Sequence, residues 1–356
     1  MSGALLALLL RRIRDEGPLT VADYMAECLL HPRHGYYVRQ DPLGAGGDFT
    51  TAPEISQMFG ELLGLCLAQT WLDQRLGTVA LAELGPGRGT LMGDMLRATR
   101  AVPGFHDALS VHLVEASPAL RARQEAALRG LAARPVWHHD AGTLPEGPLL
   151  LVANEFLDAL PVRQHVRAGA GWRERHVAAE GGALRFALGP ERDVPELGHR
   201  LDEPEGTMVE RCPALPAIAG AVAERVAGGG GAAIFVDYGH WRSRGDTLQA
   251  LRRHAPEDPL REPGAADLTA HVDFEGLARA ADPPARASAM VPQGVLLERL
   301  GITARARALA GGLRGAALDA HVAAHRRLTH PAEMGDLFKA MAITPPGAAP
   351  PPGFAA

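Results

Sequence analysis

The chain has 356 residues, of which 47% are hydrophobic and 22% charged, and its formal net charge is −5. This length allows one large α/β domain with insertions or two smaller domains. The negative charge disfavours a nucleic-acid partner, because phosphate binding requires a basic face. Three widely spaced cysteines do not suggest a disulfide framework or a zinc cluster, and the apolar run at residues 4–10 is too short to span a bilayer. We therefore expect a cytoplasmic protein without metal, nucleic acid or membrane insertion.

The first 77 residues predict a helical cap followed by a loop. Residues 2–15 and 20–30 favour two helices, and the apolar spacing from residue 53 onward favours a third. Between them lies a Gly- and Pro-rich loop with polar and aromatic side chains, among them Asp48, Phe49 and Thr50. This loop could fold over a ligand as a lid or serve only as a structural cap, and the residues leave both interpretations open.

The next stretch, residues 78–97, organises the chain. A buried strand over residues 79–84 carries the acidic Glu83 near its end and leads into a glycine turn and an amphipathic helix. The turn contains Gly85, Gly87 and Gly89. Without Cβ atoms the backbone can adopt unusual conformations and let a ligand approach the peptide groups at the helix start. We therefore expect a small polar ligand here; the alternative is a turn that only joins strand to helix.

The spacing of the turn distinguishes two ligand classes. A dinucleotide fingerprint has Gly or Ala at the position where this chain has Thr90. The pattern E-x-G-x-G-x-G instead resembles the first motif of class I S-adenosylmethionine-dependent methyltransferases. That resemblance implies S-adenosylmethionine as the ligand. Glu83 would then help to hold its ammonium group, directly or through water.

Two carboxylates follow the next two predicted strands. In a doubly wound sheet, ligands bind beyond the carboxyl ends of the strands. Glu115 follows residues 111–114 and could accept both hydroxyls of a ribose, although a surface glutamate at a strand end is also common. Asp140 follows residues 135–138 and could accept from the adenine amine. The two histidines beside Asp140 lack further ligands at metal-binding spacing.

The fourth strand, residues 149–153, is followed by an amide and two carboxylates: Asn154, Glu155 and Asp158. These groups come at the edge where a methyl group would be presented. Placing two acids beside an apolar strand is costly unless a cation offsets their charge. We therefore expect a functional role; the alternative is that Asn154 and Asp158 only cap a helical turn.

The second half of the chain predicts an insertion and the rest of the sheet. Residues 162–229 favour antiparallel strands and a helix that cover the substrate side. The sheet resumes at residues 232–236, and Tyr238 follows on the substrate side. Residues 245–274 are predicted to be mostly loop, and residues 338–343 an antiparallel last strand.

The predicted domain organisation has five parts. They are a helical cap and lid (1–77), a cofactor-binding half (78–161), an insertion (162–229), a C-terminal half of the core (230–344) and a disordered tail (345–356). The tail contains little besides Pro, Gly and Ala, which offers no means of packing.

Six stretches together resemble the MidA-type methyltransferases, a family that includes a mitochondrial arginine methyltransferase of complex I assembly. They are HPRHGYY, GDFTTAPEISQMFGELLG, ELGPGRGTLMGDMLR, NEFLDALPV, FVDYGH and PGAADLTAHVDF. The resemblance spans about residues 17–344. It implies a class I, Rossmann-like α/β fold with a seven-stranded, mostly parallel sheet, an N-terminal helical cap and an antiparallel insertion. It also implies S-adenosylmethionine as donor and a protein arginine as acceptor, for the mitochondrial member on an iron-sulfur subunit of complex I.

Given that acceptor, the residues after the fourth strand acquire roles. Glu155 and Asp158 would clamp the guanidinium, and Asn154 would orient it. Two alternatives stay open: a methyltransferase for a small molecule, and a non-catalytic assembly factor that binds the donor and a client protein.

Overall fold

The computed structural model describes residues 3–39, 50–131 and 134–355. Its helices are α1 (Gly3–Glu16), α2 (Val21–Leu30), α3 (Tyr36–Arg39), α4 (Ala52–Ile55), α5 (Gln57–Asp73), α6 (Thr90–Thr99), α7 (Phe105–Ala108), α8 (Pro118–Leu128), α9 (Leu215–Gly229), α10 (Phe274–Ala281), α11 (Gln293–Arg299), α12 (Ile302–Ala310) and α13 (Ala316–Thr329). None of the helices in these ranges has the length and apolar character needed to cross a bilayer.

The strands are β1 (Leu19–Thr20), β2 (Val79–Leu84), β3 (Leu109–Val114), β4 (Val136–His138), β5 (Leu149–Asn154), β6 (Arg163–Ala168), β7 (Gly171–Glu180), β8 (Ala183–Arg192), β9 (Met208–Arg211), β10 (Gly231–His240), β11 (Gln249–Arg252), β12 (Ala255–Glu257), β13 (Asp267–Thr269), β14 (Val272–Asp273), β15 (Arg286–Ala287), β16 (Val291–Pro292) and β17 (Phe338–Thr344). The predicted strands of the first half are all present, with ends shifted by at most two residues.

The chain divides into two compact units. We call residues 50–157, 215–241 and 274–356 the core unit, and residues 1–49, 158–214 and 242–273 the insertion unit. The predicted boundaries differ from these, because the cap helices α1 and α2 belong with the insertion. Contacts between distant parts of the chain determine this grouping, and local sequence patterns do not predict such contacts.

The core unit is built on a mixed α/β sheet. Strands β10, β5, β2, β3 and β4 lie side by side in that order and run parallel, and β17 pairs antiparallel with β10. Strands β2 and β5 are buried along their whole length, as apolar strands inside a parallel sheet should be. The short β15 and β16 also pair with β17, so the described part of the sheet exceeds the seven strands predicted. The parallel order brings the carboxyl ends of five strands to one edge.

Helices α5 and α6 pack closely in the core unit through two glycines. A Cβ on Gly60 would lie 2.6 Å from Cβ of Asp94, and a Cβ on Gly64 would lie 2.7 Å from Cα of Met95. Larger residues would therefore separate the two helices. This contact fixes α6, the helix that begins at the glycine turn.

The C-terminal tail packs against the core unit, so its predicted disorder is wrong. Phe354 contacts the hydrophobic core. The carbonyl of Gly353 accepts a hydrogen bond from Arg299 Nη1 at 2.9 Å, and that of Pro352 accepts one from the Cys66 thiol at 3.3 Å. Composition does not predict this packing, because it depends on one aromatic side chain and two backbone carbonyls.

The insertion unit contains two antiparallel sheets. In the larger, β1, β7, β6 and β9 are neighbours in that order and β8 pairs with β7, which agrees with the predicted antiparallel insertion. The smaller, β12–β11–β13, lies where a loop was predicted. Its strands have only three or four residues each, which is too short for an alternating pattern to be recognised.

Candidate functional site

The glycine turn has the unusual backbone that its sequence predicts. Gly85, Gly87 and Gly89 have φ values of 64°, 51° and 83°, all in the left-handed region. A Cβ on Gly85 would lie 2.8 Å from Cδ2 of Phe156. Gly89 is the N-cap residue of α6, so the first amides of this helix follow the turn directly.

The carboxyl group of Glu83 links β2 to the first turn of α6 and has one oxygen left to accept a further hydrogen bond. Its side chain is 3% exposed, and its carboxylate accepts a hydrogen bond from the backbone amide of Met92. Within the described residues, its Oε2 atom is buried and has no hydrogen-bond partner. Burial raises the pKa of Glu83 to about 8, against the opposing effect of the Met92 amide. Burial thus disfavours the charged form of Glu83, and a cation placed beside Oε2 would favour it again.

Glu115 lies at the end of β3 in a fixed orientation. Its Oε1 accepts from the amide of Ser117 at 2.8 Å, and its Oε2 accepts from Nε2 of Gln124 at 3.1 Å. Burial raises the pKa of Glu115, while the bonds from Ser117 and Gln124 act in the opposite direction. A half-buried carboxylate held in this way can still accept hydrogen bonds from a diol.

Asp140 lies at the end of β4, the strand beside β3. It is exposed and precedes the 3₁₀ turn Ala141–Thr143, and no cap hydrogen bond from its side chain occurs in the part of the chain that the structure describes. The amide of Glu115 donates to the carbonyl of His138 at 3.1 Å, which aligns the two strand ends. Glu115 and Asp140 therefore share one edge of the sheet, as predicted from their positions.

The loop after β5 is conformationally strained. Glu155 has φ of 49°, which is rare for a residue with a side chain. Its Oε1 accepts from the amide of Ala52 at 2.8 Å and from Nδ2 of Asn154 at 3.0 Å. Over the described ranges, Oδ1 of Asn154 is buried and has no partner. Strain of this kind persists only where surrounding contacts impose it, and it often marks functional sites.

Asp237 imposes this conformation, and we did not predict its role. It is 1% exposed and lies in β10, directly after Val236, the last residue of this strand that pairs with β5. Its Oδ2 accepts from the amides of Phe156 and Leu157 at 3.2 and 2.9 Å, and its Oδ1 accepts from the amide of Tyr238 at 2.9 Å. The sequence did contain a signal, since Asp237 follows an apolar strand as the other site acids do.

Helix α4 joins the glycine turn to the loop after β5. Oε1 of Glu54 accepts from the hydroxyl of Thr90 at 2.6 Å, and Oε2 lies 3.9 Å from Nη1 of Arg88. The amide of Ala52 donates to Glu155. Thr50, one of the predicted lid residues, comes just before this helix and is half-buried. The other two, Asp48 and Phe49, lie outside the described residues.

Two further predicted site residues lie elsewhere or pack differently. Asp158 belongs to the insertion unit, where it is buried and its carbonyl accepts from the amide of Ala270 at 2.9 Å. Tyr238 is half-buried, and its ring makes an edge contact with Phe338 at 5.4 Å between centroids. In residues 3–39, 50–131 and 134–355 we find no group of three or more His, Cys, Asp or Glu side chains that could hold a metal ion.

A cavity of about 440 Å³ lies in the insertion unit and contains none of the predicted site residues. Its charged walls pair with each other: Arg163 binds Glu174 at 2.6 Å and Arg211 lies 3.4 Å from Glu196. These pairs offset one another's charge.

The residues around the glycine turn fit S-adenosylmethionine. The donor carries an ammonium and a sulfonium, and the site offers a buried carboxylate oxygen on Glu83 and a buried amide oxygen on Asn154. Each of these oxygens lacks a partner among the described residues. A Cβ at Gly85 would lie 2.8 Å from the Phe156 ring, so the turn packs in this form only with glycine. Glu83 would hold the ammonium, Glu115 the ribose hydroxyls and Asp140 the adenine amine.

Comparison with known proteins assigns the chain to a family. A family described as S-adenosyl-L-methionine-dependent methyltransferase matches residues 62–291. A Burkholderia thailandensis protein, whose crystal structure holds S-adenosyl-homocysteine, is similar with a TM-score of 0.83 and 32% identity, covering 96% of this chain and 92% of that chain. This chain is thus an S-adenosylmethionine-dependent methyltransferase of the α/β class.

More particular relatives follow from full-length sequence similarity. The mouse protein named "Protein arginine methyltransferase NDUFAF7, mitochondrial" is 38% identical over 95% of this chain and 83% of its own length. Its Xenopus laevis counterpart is 36% identical over 97% and 85%. The chain therefore belongs to the MidA-type family of these methyltransferases, which confirms the resemblance.

The expected cytoplasmic location is wrong by this comparison. The mouse, Xenopus laevis and human relatives are all named as mitochondrial proteins. The expectation came from cysteine usage and from the short apolar run near the N-terminus. Neither feature distinguishes a cytoplasmic protein from a mitochondrial one.

Proposed function

We propose that this methyltransferase acts on a guanidinium nitrogen of a protein arginine. The names of the mouse and Xenopus laevis relatives support this acceptor. The observation that carries the proposal is the pair of acceptors after β5. There the strained, half-buried Glu155 lies next to Asn154, whose buried Oδ1 has no partner in the described part of the chain. Oxygens of this kind favour a cationic substrate group with several N–H donors, such as a guanidinium.

The chain's contribution to the reaction is alignment and charge placement. When bound, S-adenosylmethionine supplies a methyl carbon activated by the adjacent sulfonium. Glu155 would accept hydrogen bonds from the guanidinium nitrogens that do not react, which draws positive charge away from the reacting nitrogen. Asn154 would orient the group in line with the methyl carbon. The reacting nitrogen forms a bond to the methyl carbon as the carbon–sulfur bond breaks, and the electron pair of that bond leaves with S-adenosyl-homocysteine. The methylated nitrogen releases one proton, which passes to a carboxylate or to water.

The remaining predicted substrate residues are proposed from their positions. Asp158 is proposed as the second carboxylate of the clamp from its sequence position alone. Thr50 and Tyr238 are proposed to contact the substrate, together with Asp48 and Phe49. For Thr50 the support is its place before α4, which bonds both the glycine-turn helix and Glu155.

We also propose that the acceptor arginine belongs to an iron-sulfur subunit of respiratory complex I and that its methylation supports assembly. The support is the six-stretch resemblance to the family that includes a complex I assembly methyltransferase. The partner would then be a protein surface that presents one arginine side chain.

The experiment compares Glu155→Gln with Glu224→Gln, a control at an exposed position on α9. Each variant is incubated with radiolabelled S-adenosylmethionine and lysate from a strain that lacks the enzyme. Labelled arginine is then identified by mass spectrometry. We expect a loss of about 100-fold or more in kcat for Glu155→Gln, since electrostatic groups at a reacting centre contribute this much. Binding of S-adenosyl-homocysteine should change less than threefold, and the control should match the wild type.

Three results would overturn the proposal. Label in a small molecule rather than in protein would identify a small-molecule methyltransferase. Donor binding without any labelled product would identify an assembly factor without catalysis. Normal turnover of Glu155→Gln would remove Glu155 from the acceptor site.

A further inference from the structure

A glutamine on α8 connects the two parts of the donor site. Gln124 is 0% exposed, which is unusual for an uncharged polar side chain of this length. Its Nε2 donates to the carbonyl of Gly87 at 2.8 Å and to Oε2 of Glu115 at 3.1 Å. Its Oε1 accepts from the indole Nε1 of Trp137 at 2.8 Å. The three hydrogen bonds reach the glycine turn, the end of β3 and strand β4.

The orientation of the Gln124 amide is dictated by its partners. An indole N–H only donates, so the amide oxygen must face Trp137. The amide nitrogen then faces two groups that only accept, the Gly87 carbonyl and the Glu115 carboxylate. A flipped amide would lose all three bonds. Trp137 therefore sets which end of Gln124 reaches the donor site.

Helix α8 also lies close to the turn at a second point. A Cβ on Gly89 would lie 3.4 Å from Cα of Gln124 and 3.6 Å from Cβ of Ala127. The position of Gln124 relative to the turn is thus defined by packing as well as by hydrogen bonds.

We propose that Gln124 is a positioning residue for the donor ribose, which orients Glu115 and fixes its distance from the glycine turn. The inference depends on the assignment of the ribose hydroxyls to Glu115. The carboxylate has two oxygens: Oε1 accepts from the Ser117 amide, Oε2 accepts from Gln124, and the Ala116 amide also donates to this carboxylate. The remaining lone pairs point in set directions, so two neighbouring hydroxyls meet them without reorganisation. Gln124 acts through Glu115 and touches no reacting atom.

The test measures affinity for two ligands by calorimetry: S-adenosyl-homocysteine and its analogue without the 2′ and 3′ ribose hydroxyls. Gln124→Met keeps the length of the side chain and removes all three bonds. We expect it to weaken S-adenosyl-homocysteine binding by about tenfold or more, because a bond to a charged group is lost. The analogue should lose less than threefold, because it makes no use of Glu115.

Gln293→Met is the matched control. Gln293 is also 0% exposed in the core unit and donates to the carbonyl of Leu328 at 2.9 Å. Its loss should lower the melting temperature without changing either affinity. A purely structural role for Gln124 would instead weaken both ligands equally, and that result, or unchanged binding of S-adenosyl-homocysteine, would overturn the proposal.

A second variant keeps the test decisive if Gln124→Met does not fold. Trp137→Phe retains an aromatic ring but removes the donor that orients Gln124, so the amide can flip away from Glu115. We expect a loss of about threefold in affinity for S-adenosyl-homocysteine and none for the analogue; equal losses would again contradict the role. Because only donor binding is measured, the result is independent of which acceptor the enzyme methylates.

Discussion

The glycine turn and the loop after β5 both require a backbone with positive φ, but they achieve it with different residues. Both follow a strand at the same edge of the sheet, and both contain residues with positive φ. In the turn these residues are Gly85, Gly87 and Gly89, for which the conformation costs little. In the loop the residue is Glu155, for which it costs about 1–2 kcal/mol. Strain is thus avoided where only backbone is needed and accepted where a carboxylate must be presented.

The support beneath the two regions differs accordingly. The turn is held by packing against Phe156 and by the Gln124 bond to Gly87. The loop is held by Asp237, whose carboxylate binds the amides of Phe156 and Leu157. The glycine turn therefore depends on residues without side chains, whereas the loop after β5 depends on the buried carboxyl group of Asp237.

In this comparison of the two regions, the largest expected effect on stability comes from Gly85→Ala. The substitution places a Cβ at a φ of 64° and 2.8 Å from the ring of Phe156. We expect the free energy of unfolding to fall by about 2–3 kcal/mol and the affinity for S-adenosyl-homocysteine to fall by tenfold or more. Chemical denaturation and calorimetry provide both numbers.

Gly77→Ala is the control for this change, since no described atom lies within 4 Å of its Cβ position. It should behave like the wild type. If Gly85→Ala binds the ligand normally, the turn does not contact the donor, and the glycine turn cannot be the donor-binding region of this comparison.

Asp237→Asn should have an intermediate effect confined to the acceptor side. The amide would present N–H groups to backbone amides that need acceptors. We expect a loss of about 1–2 kcal/mol in unfolding free energy, because buried donors are left unsatisfied. The kcat should fall about tenfold with little change in donor affinity, and exposed Asp107→Asn should change neither. Equal losses in kcat and donor binding would show that Asp237 supports both regions alike.

The smallest effect is a pH dependence on the donor side. The pKa of Glu83 is about 8 in the folded protein, raised chiefly by burial. Its stabilising contribution is therefore complete below the unfolded pKa near 4.5 and declines as pH rises through 8. Between pH 7 and 8 the unfolding free energy of the wild type should fall relative to Glu83→Gln by up to about 1.4 kcal/mol per pH unit.

The buried histidines do not confound this comparison. Burial lowers the pKa of His112 and His165 to about 4, and in the unfolded chain they titrate near 6.5, so they add a slope of opposite sign near pH 7. The wild type and Glu83→Gln share that slope, so it cancels in their difference. Saturating S-adenosyl-homocysteine should reduce the slope, because a cation beside the carboxylate lowers its pKa. An identical slope in Glu83→Gln would mean that another group titrates.

Much of the core unit could be predicted because its signals are local. Three of these signals can be recognised within a few residues: the apolar and small residues that flank Glu83 in β2, the glycines after that strand, and the acids after β3 and β5. The burial of Gln124 could not be predicted, because a polar residue in an amphipathic helix is expected to be exposed. Only the fold buries it against Trp137. The sheet β12–β11–β13 and the anchoring by Phe354 depend on contacts between distant residues, which a local pattern does not contain.

A crystal structure with S-adenosyl-homocysteine bound tests the central claim most directly. We predict that the ribose hydroxyls contact Glu115, the ammonium lies beside Glu83 and the sulfur faces the loop that holds Asn154 and Glu155. A ligand bound away from the glycine turn, or a sulfur that points away from Glu155, would contradict the account.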